Sequence, residues 1–270
     1  MNSRVVSLLA FFTPVFCLVP SRASAQAAAP RDPEAVALVN AAVAALNDNA
    51  AVEDLTLQAT VAYVAGSDEE SGTATLEAKA GGPGNGGNKS KMALNLSDGP
   101  RLEVRNGRTG AWVGPDAVSH PMSAHNCWSE AAWFAPGLAL QTALNDPSVG
   151  MVWVGQETYG SVVVQHLQLF RLVAAQSQPT AALIQTLSTT DVYLDATTSQ
   201  PRAVGFNTHS DGDAGTNIPV MILFGSYQPV SGVVVPYHIQ KLLQGTLTLD
   251  FSVTGVAINS GMPDSEFVAQ

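Results

Sequence analysis

Few residues in this 270-residue chain have both the type and the spacing that chemistry requires. His120, His125 and Cys127 lie close together and offer the imidazole and thiolate ligands that zinc prefers. Their spacing matches no zinc pattern, and a second ligand pair is missing, so a polar loop is the plainer reading. Asp211, Asp213 and Asn217, in the run from His209 to Asn217, resemble the spaced oxygens of a calcium loop. The bidentate acid that closes such a loop is absent, which leaves an ordinary β-turn. Ser67 follows Gly66 and Ser161 follows Gly160, but neither has the second glycine two residues on that marks a nucleophile elbow. His166 and His238 fall in strand-like stretches, where packing or solvation is the common role. No catalytic residue, metal ligand set or cofactor is therefore expected.

The remaining candidates are apolar. Trp112, Trp128, Trp133, Phe134, Leu138 and Leu140, with the strand face Leu57, Ala59 and Val61, would line the space between a curved sheet and a helical insert. Small ligands bind in such concavities. The same side chains could instead simply fill the core.

Sequence periodicity locates the elements that must position these groups. Asp32-Pro33-Glu34 is a cap, a proline at the first helical position and an acid in the first turn; Val36, Val39, Val43 and Leu46 then recur at helical spacing. After Asp48-Asn49 the period becomes two, Leu55 to Tyr63 alternating with Thr56, Gln58, Thr60 and Ala62. Strands follow at 72–79 and 89–96, separated by the glycine-rich run Gly81 to Asn88, which lacks the Gly-Lys-Ser/Thr of a phosphate loop. Shorter ones are expected around 102–104 and 110–113. Between about 115 and 148 the alternation stops, and Ser129-Glu130 opens a helical insert expected to break at Pro136-Gly137. Strands resume at 150–156 and 161–172, and 179–187 is a short helix or long loop. Four stretches from Asp191 to Leu242 and a last one around Leu247 to Val253 complete about ten or eleven antiparallel strands.

The first 25 residues read as a secretory signal. Arg4 precedes the apolar stretch Val5–Val19, too short for a spanning helix and interrupted by Pro14, and Ala23-Ser24-Ala25 is a small-x-small cleavage site. Phe16 before Cys17 is wrong for lipidation, so the expectation is a periplasmic or secreted protein cleaved after Ala25, against a retained N-terminal anchor. Cleavage removes Arg4 and Arg22 but no acid, taking the formal charge from −10 to −12. Nucleic acid and anionic lipid surfaces are poor partners for such a chain. Cys127 alone would remain, so no internal disulfide can form. Residues 26–270 suffice for one core and read as one domain.

Three segments carry a family resemblance: Asp195-Ala196-Thr197-Thr198-Ser199-Gln200-Pro201; Tyr227 to Pro236, turning through Gly232; and Ile258-Asn259 with Asp264 to Phe267. Together with the order of elements they resemble the LolA-like family of periplasmic lipoprotein carriers and its secreted relatives, in which the third segment belongs to the closing strand. The resemblance implies a mainly β, α+β fold: a curved, unclosed antiparallel half-barrel whose concave face is covered by helices and encloses a cavity for acyl chains. It implies a carrier or chaperone-like, non-catalytic protein whose partners are hydrophobic ligands such as lipids or lipoprotein acyl chains. A module that pairs a transient protein partner at its open sheet edge, or a hydrolase, are the alternatives.

Overall fold

The computed structural model describes residues 31–48, 50–82, 87–129, 132–172 and 178–268. The expected signal sequence, the centre of the glycine-rich loop and Glu130 lie outside the described residues. Helix α1 (Pro33–Asn47) begins where the Asp32 carboxylate accepts the Glu34 N–H at 2.9 Å and ends at Asp48, in the left-handed region with φ 42°. Ala35, Val39, Ala42 and Leu46 form its buried stripe. Strands β1 (Asp54–Ala65), β2 (Asp68–Lys79), β3 (Lys89–Leu96), β4 (Gly99–Asn106), β5 (Thr109–Val113) and β6 (Ser119–Pro121) follow. The insert holds a single turn, α2 (Asn126–Ser129), and α3 (Pro136–Asn145). Then come β7 (Val149–Tyr159), β8 (Val162–Arg171), α4 (Gln178–Ser188), β9 (Thr190–Asp195), β10 (Pro201–Ser210), β11 (Asp213–Val230), β12 (Val233–Leu243) and β13 (Thr246–Ile258).

All thirteen strands join one antiparallel sheet in the order β6-β5-β4-β3-β2-β1-β13-β12-β11-β10-β9-β8-β7. Pairing of β1 with β13 puts the two ends of the strand series at the centre. As a result β6 and β7, neighbours in sequence, become the two opposite edges, and the sheet is an unclosed half-barrel. The insert must travel from one edge to the other, and in doing so it covers the concave face. Inward-facing side chains run in rows across the strands: Phe224 opposite Ile239, Ile239 opposite Phe251, and Phe251 opposite Val61. Trp133, Phe134 and Leu138 from the insert pack onto this face, while α1 and Leu140 pack over β7, β8 and β9. Gly72 has no room for a side chain, since a Cβ there would lie 2.0 Å from the Asn95 carbonyl oxygen.

The strand count exceeds the ten or eleven expected from alternation, in part because β6 is three residues long and sits inside the non-alternating stretch. Pro136 and Gly137 do not break a helix; they start α3, where a proline's missing N–H costs nothing. Residues 178–188 are helical, and Asp264–Phe267 is a 3-10 turn, not part of a closing strand. The three segments that carried the resemblance are tight joints. Asp195 accepts the N–H groups of Thr197 and Thr198 at 2.8 and 3.0 Å and binds Arg202, closing the β9–β10 turn. The half-buried Tyr227 hydroxyl donates to the Pro201 carbonyl at 2.7 Å, tying the second segment to the first. Asn259 accepts the Glu53 N–H at 2.7 Å and donates to the Ala51 carbonyl, fastening the third to the start of β1.

Candidate functional site

The two arms of the sheet, β1 and β3–β5 on one side and β10–β13 on the other, flank a half-open cavity of about 520 Å³. That lies within the range that holds small organic ligands. Met92, Leu94, Val220, Leu243 and Leu249 give it apolar walls, and Met122 and Asn126 of the insert reach its rim. Charged groups come from both arms. Arg101 forms a two-pronged bond with Asp98, at 2.7 and 2.5 Å, and lies 4.4 Å from the centre of the Tyr63 ring. Buried Arg105 pairs with Glu103. Lys241, from the opposite arm, stands over Trp133 at 5.2 Å. No sequence signal marks these charges, because each is one polar residue in an alternating strand.

The nine residues expected at a ligand site are dispersed. Trp112 lines this cavity, 41% exposed and stacked on His120 with ring centres 4.1 Å apart. Trp128, Trp133 and Leu140 line a separate apolar slot of about 120 Å³ between α3 and β7–β9. Leu57, Ala59, Val61, Phe134 and Leu138 line neither space; they are buried in the main core.

A short stretch of the insert is fastened to the β10–β11 turn at the cavity rim. The Asn126 amide donates to the His209 carbonyl at 2.7 Å and accepts the His209 N–H at 2.9 Å, and the Ser123 N–H donates to Asp211 at 3.1 Å. His125 meets His209 edge to face, and burial, then the neighbouring His209, pulls the His125 pKa down. Asp213 is engaged by the Thr216 hydroxyl and the Gly215 N–H, and Asn217 Oδ1 by His209 Nε2. The calcium-like oxygens thus serve the turn and its link to Ser123. Among the described residues, no group of three or more His, Cys, Asp or Glu is placed to hold a metal ion. On the outer face both ring nitrogens of His166 meet carboxylates, Nε2 with Asp191 at 2.8 Å and Nδ1 with Glu157 at 3.1 Å. His238 Nε2 meets Asp250 at 2.8 Å. Among the described residues, no helix is long and apolar enough to cross a membrane.

No protein-family pattern matches the sequence, and no curated protein matches it. Solved structures do resemble the fold. A domain assigned to outer membrane lipoprotein sorting from Vibrio parahaemolyticus superposes with a TM-score of 0.53 at 10% identity, covering 87% of this chain and 96% of that one. A LolA superfamily protein from Nitrosomonas europaea gives 0.52 at 12% identity, and a DUF1329 family protein from Desulfovibrio piger 0.52 at 11%. Each covers 87% of this chain and 97% of its own. At such identities the likeness is one of fold.

Proposed function

We propose, from the LolA-like fold that this chain has, that it works outside the cytoplasm as a non-catalytic carrier that holds a lipid or lipoprotein acyl chain in the larger cavity. The observation that carries the reading is the 520 Å³ space with apolar walls and a few charged side chains, contributed by both arms, among its lining. Such a space suits a ligand with an apolar body and a polar end. Trp112 forms part of its wall, and the buried strand residues Leu57, Ala59 and Val61 belong to the same core cluster as its wall residues Met92, Leu94, Val220 and Leu249.

Burying about 14 methylenes at about 0.8 kcal/mol each gains about 11 kcal/mol. Association costs about 4 to 15 kcal/mol, so a preformed cavity yields affinities of roughly micromolar order. That range suits a carrier that must also release its cargo. The test is titration of a fluorescent fatty acid into protein purified without detergent. Saturable binding is expected in wild type. Leu243→Trp, which puts bulk into the cavity, should weaken it at least about tenfold while changing stability by less than about 1 kcal/mol. Absence of binding below about 100 micromolar in wild type would sink the reading. The export part rests on the first 25 residues, and the intact mass of the exported protein is expected to begin at Gln26; a retained Met1 would refute it.

One observation favours the edge-pairing alternative. Strand β7 pairs with β8 on one side and, among the described residues, meets on the other only Arg31 and Asp32 at Met151; it exposes Trp153 and Val154, although a bulge at Gly155 twists that edge. A protein that co-purifies with wild type, and is lost when Val154 is replaced by lysine, would move the assignment to that edge.

A further inference from the structure

The smaller slot has the features of a second, separate binding site. Trp128, Trp133, Leu140, Leu169 and Val192 are among its apolar walls, and Arg171 lines it as its one charged side chain. An apolar cavity of about 150 Å³ is known to hold benzene, so a body of about six carbons is the size that fits 120 Å³. Arg171 is only 21% exposed, and the Asp146 carboxylate lies 3.9 Å away, beyond hydrogen-bonding range. Among the described residues no acceptor hydrogen bonds to its guanidinium, which carries five donors. Asp146 is itself engaged: its Oδ1 accepts the Ser148 N–H and hydroxyl, and its carbonyl accepts Arg31. Burial, opposed by Asp146 and reinforced by nearby Arg108, pulls the Arg171 pKa down. Arg171 therefore stands beside a carboxylate already engaged by Ser148, with a second arginine, Arg108, near it, in a chain whose net charge is −10.

A neutral ligand would leave the Arg171 donors unpaired in a poorly solvated place, which is costly. An inorganic anion would leave the apolar slot unfilled, and a dianionic phosphate ester would bring a second charge towards Asp146. We propose that the slot binds a small organic monocarboxylate, an aromatic acid or a fatty acid of about six carbons. Its apolar body lies between the two tryptophans and Leu140, Leu169 and Val192, and its carboxylate takes the planar fork of Arg171.

The test uses the full mature chain and reads tryptophan fluorescence and calorimetry with benzoate, hexanoate, hexanol and inorganic phosphate. Benzoate and hexanoate should bind saturably at about 0.1 to 1 mM, with hexanol and phosphate at least about tenfold weaker. Arg171→Gln should weaken carboxylate binding at least about tenfold, Arg171→Lys less so, and Ala143→Phe should abolish it by filling the slot. Equal binding of hexanoate and hexanol overturns the proposal, as does hexanoate binding untouched by Ala143→Phe, or none up to about 10 mM. Wild type and Ala143→Phe decide the matter if Arg171→Gln does not fold. Neither variant should alter long-chain probe binding in the larger cavity, so the two readings fail separately.

Discussion

Replacing Trp133 by alanine is expected to lower the free energy of unfolding by about 3 to 5 kcal/mol, among the largest effects of any single substitution in this chain. The indole is 4% exposed. It meets Phe134 edge to face at 5.4 Å, leans on Phe251 at 6.0 Å, and carries the Lys241 ammonium over its face. It is thus the point where the insert, having crossed from the β6 edge, is fastened to the central strand β13. Its removal leaves a void in a close-packed layer and forfeits a cation–π contact of about 0.5 to 1 kcal/mol. Urea denaturation measures the effect. A loss under about 1 kcal/mol would mean that the insert is held elsewhere. Set beside Leu243→Trp, the variant separates packing from binding: the first loses stability, the second loses the acyl probe.

Asp54→Ala should cost about 3 kcal/mol, through a different cause. The side chain is 2% exposed and receives four donors: the Ser260 N–H and hydroxyl on Oδ1 at 2.7 and 2.8 Å, and the Gly261 and Met262 N–H groups on Oδ2 at 3.0 and 3.1 Å. Truncation leaves those donors unsatisfied and frees the C-terminal segment from β1. Burial alone would raise the Asp54 pKa, but the bonds from Ser260, Met262 and Gly261 outweigh it and hold the carboxyl below its usual range. The sign of the pH dependence follows. A depressed pKa contributes stability that is fully present above the unfolded value of about 4 and is lost as pH falls through the lower folded value. Asp195, depressed by the Thr198 and Thr197 N–H groups and Arg202 against its own burial, acts in the same direction. Melting temperatures from pH 7 down to about 2.5 should therefore fall less steeply for Asp54→Asn than for wild type below pH 4. Parallel curves would mean that the Ser260 turn does not depend on the charge.

Much of the fold is legible along the chain because a strand declares its two faces by alternation. Leu57, Ala59 and Val61 are inward in the sequence pattern and buried in the structure, and the Asp32-Pro33 start of α1 is where the cap chemistry puts it. Short or irregular pieces were not legible: β6 is too brief for a period, and Pro136 reads equally as the end of one helix or the start of another.

The sequence by itself determined which residues face inward, that the chain is mainly β, and that no complete catalytic or metal motif runs along it. Only the tertiary structure decided which inward residues meet one another and where space is left between them. Trp112 and Trp133 look alike in sequence, yet one stacks on His120 at the wall of the larger cavity and the other is buried beside the smaller slot. Arg101 and Arg105 of β4 meet Lys241 of β12 around one cavity because β1 pairs with β13 and the sheet curves, whereas Arg171 faces Asp146 through the β7–β8 hairpin, in which Val149 lies opposite Arg171. The physical reason is that alternation is a local property of the backbone. A cavity is the difference between large volumes contributed by residues more than a hundred positions apart, and no local pattern records that difference.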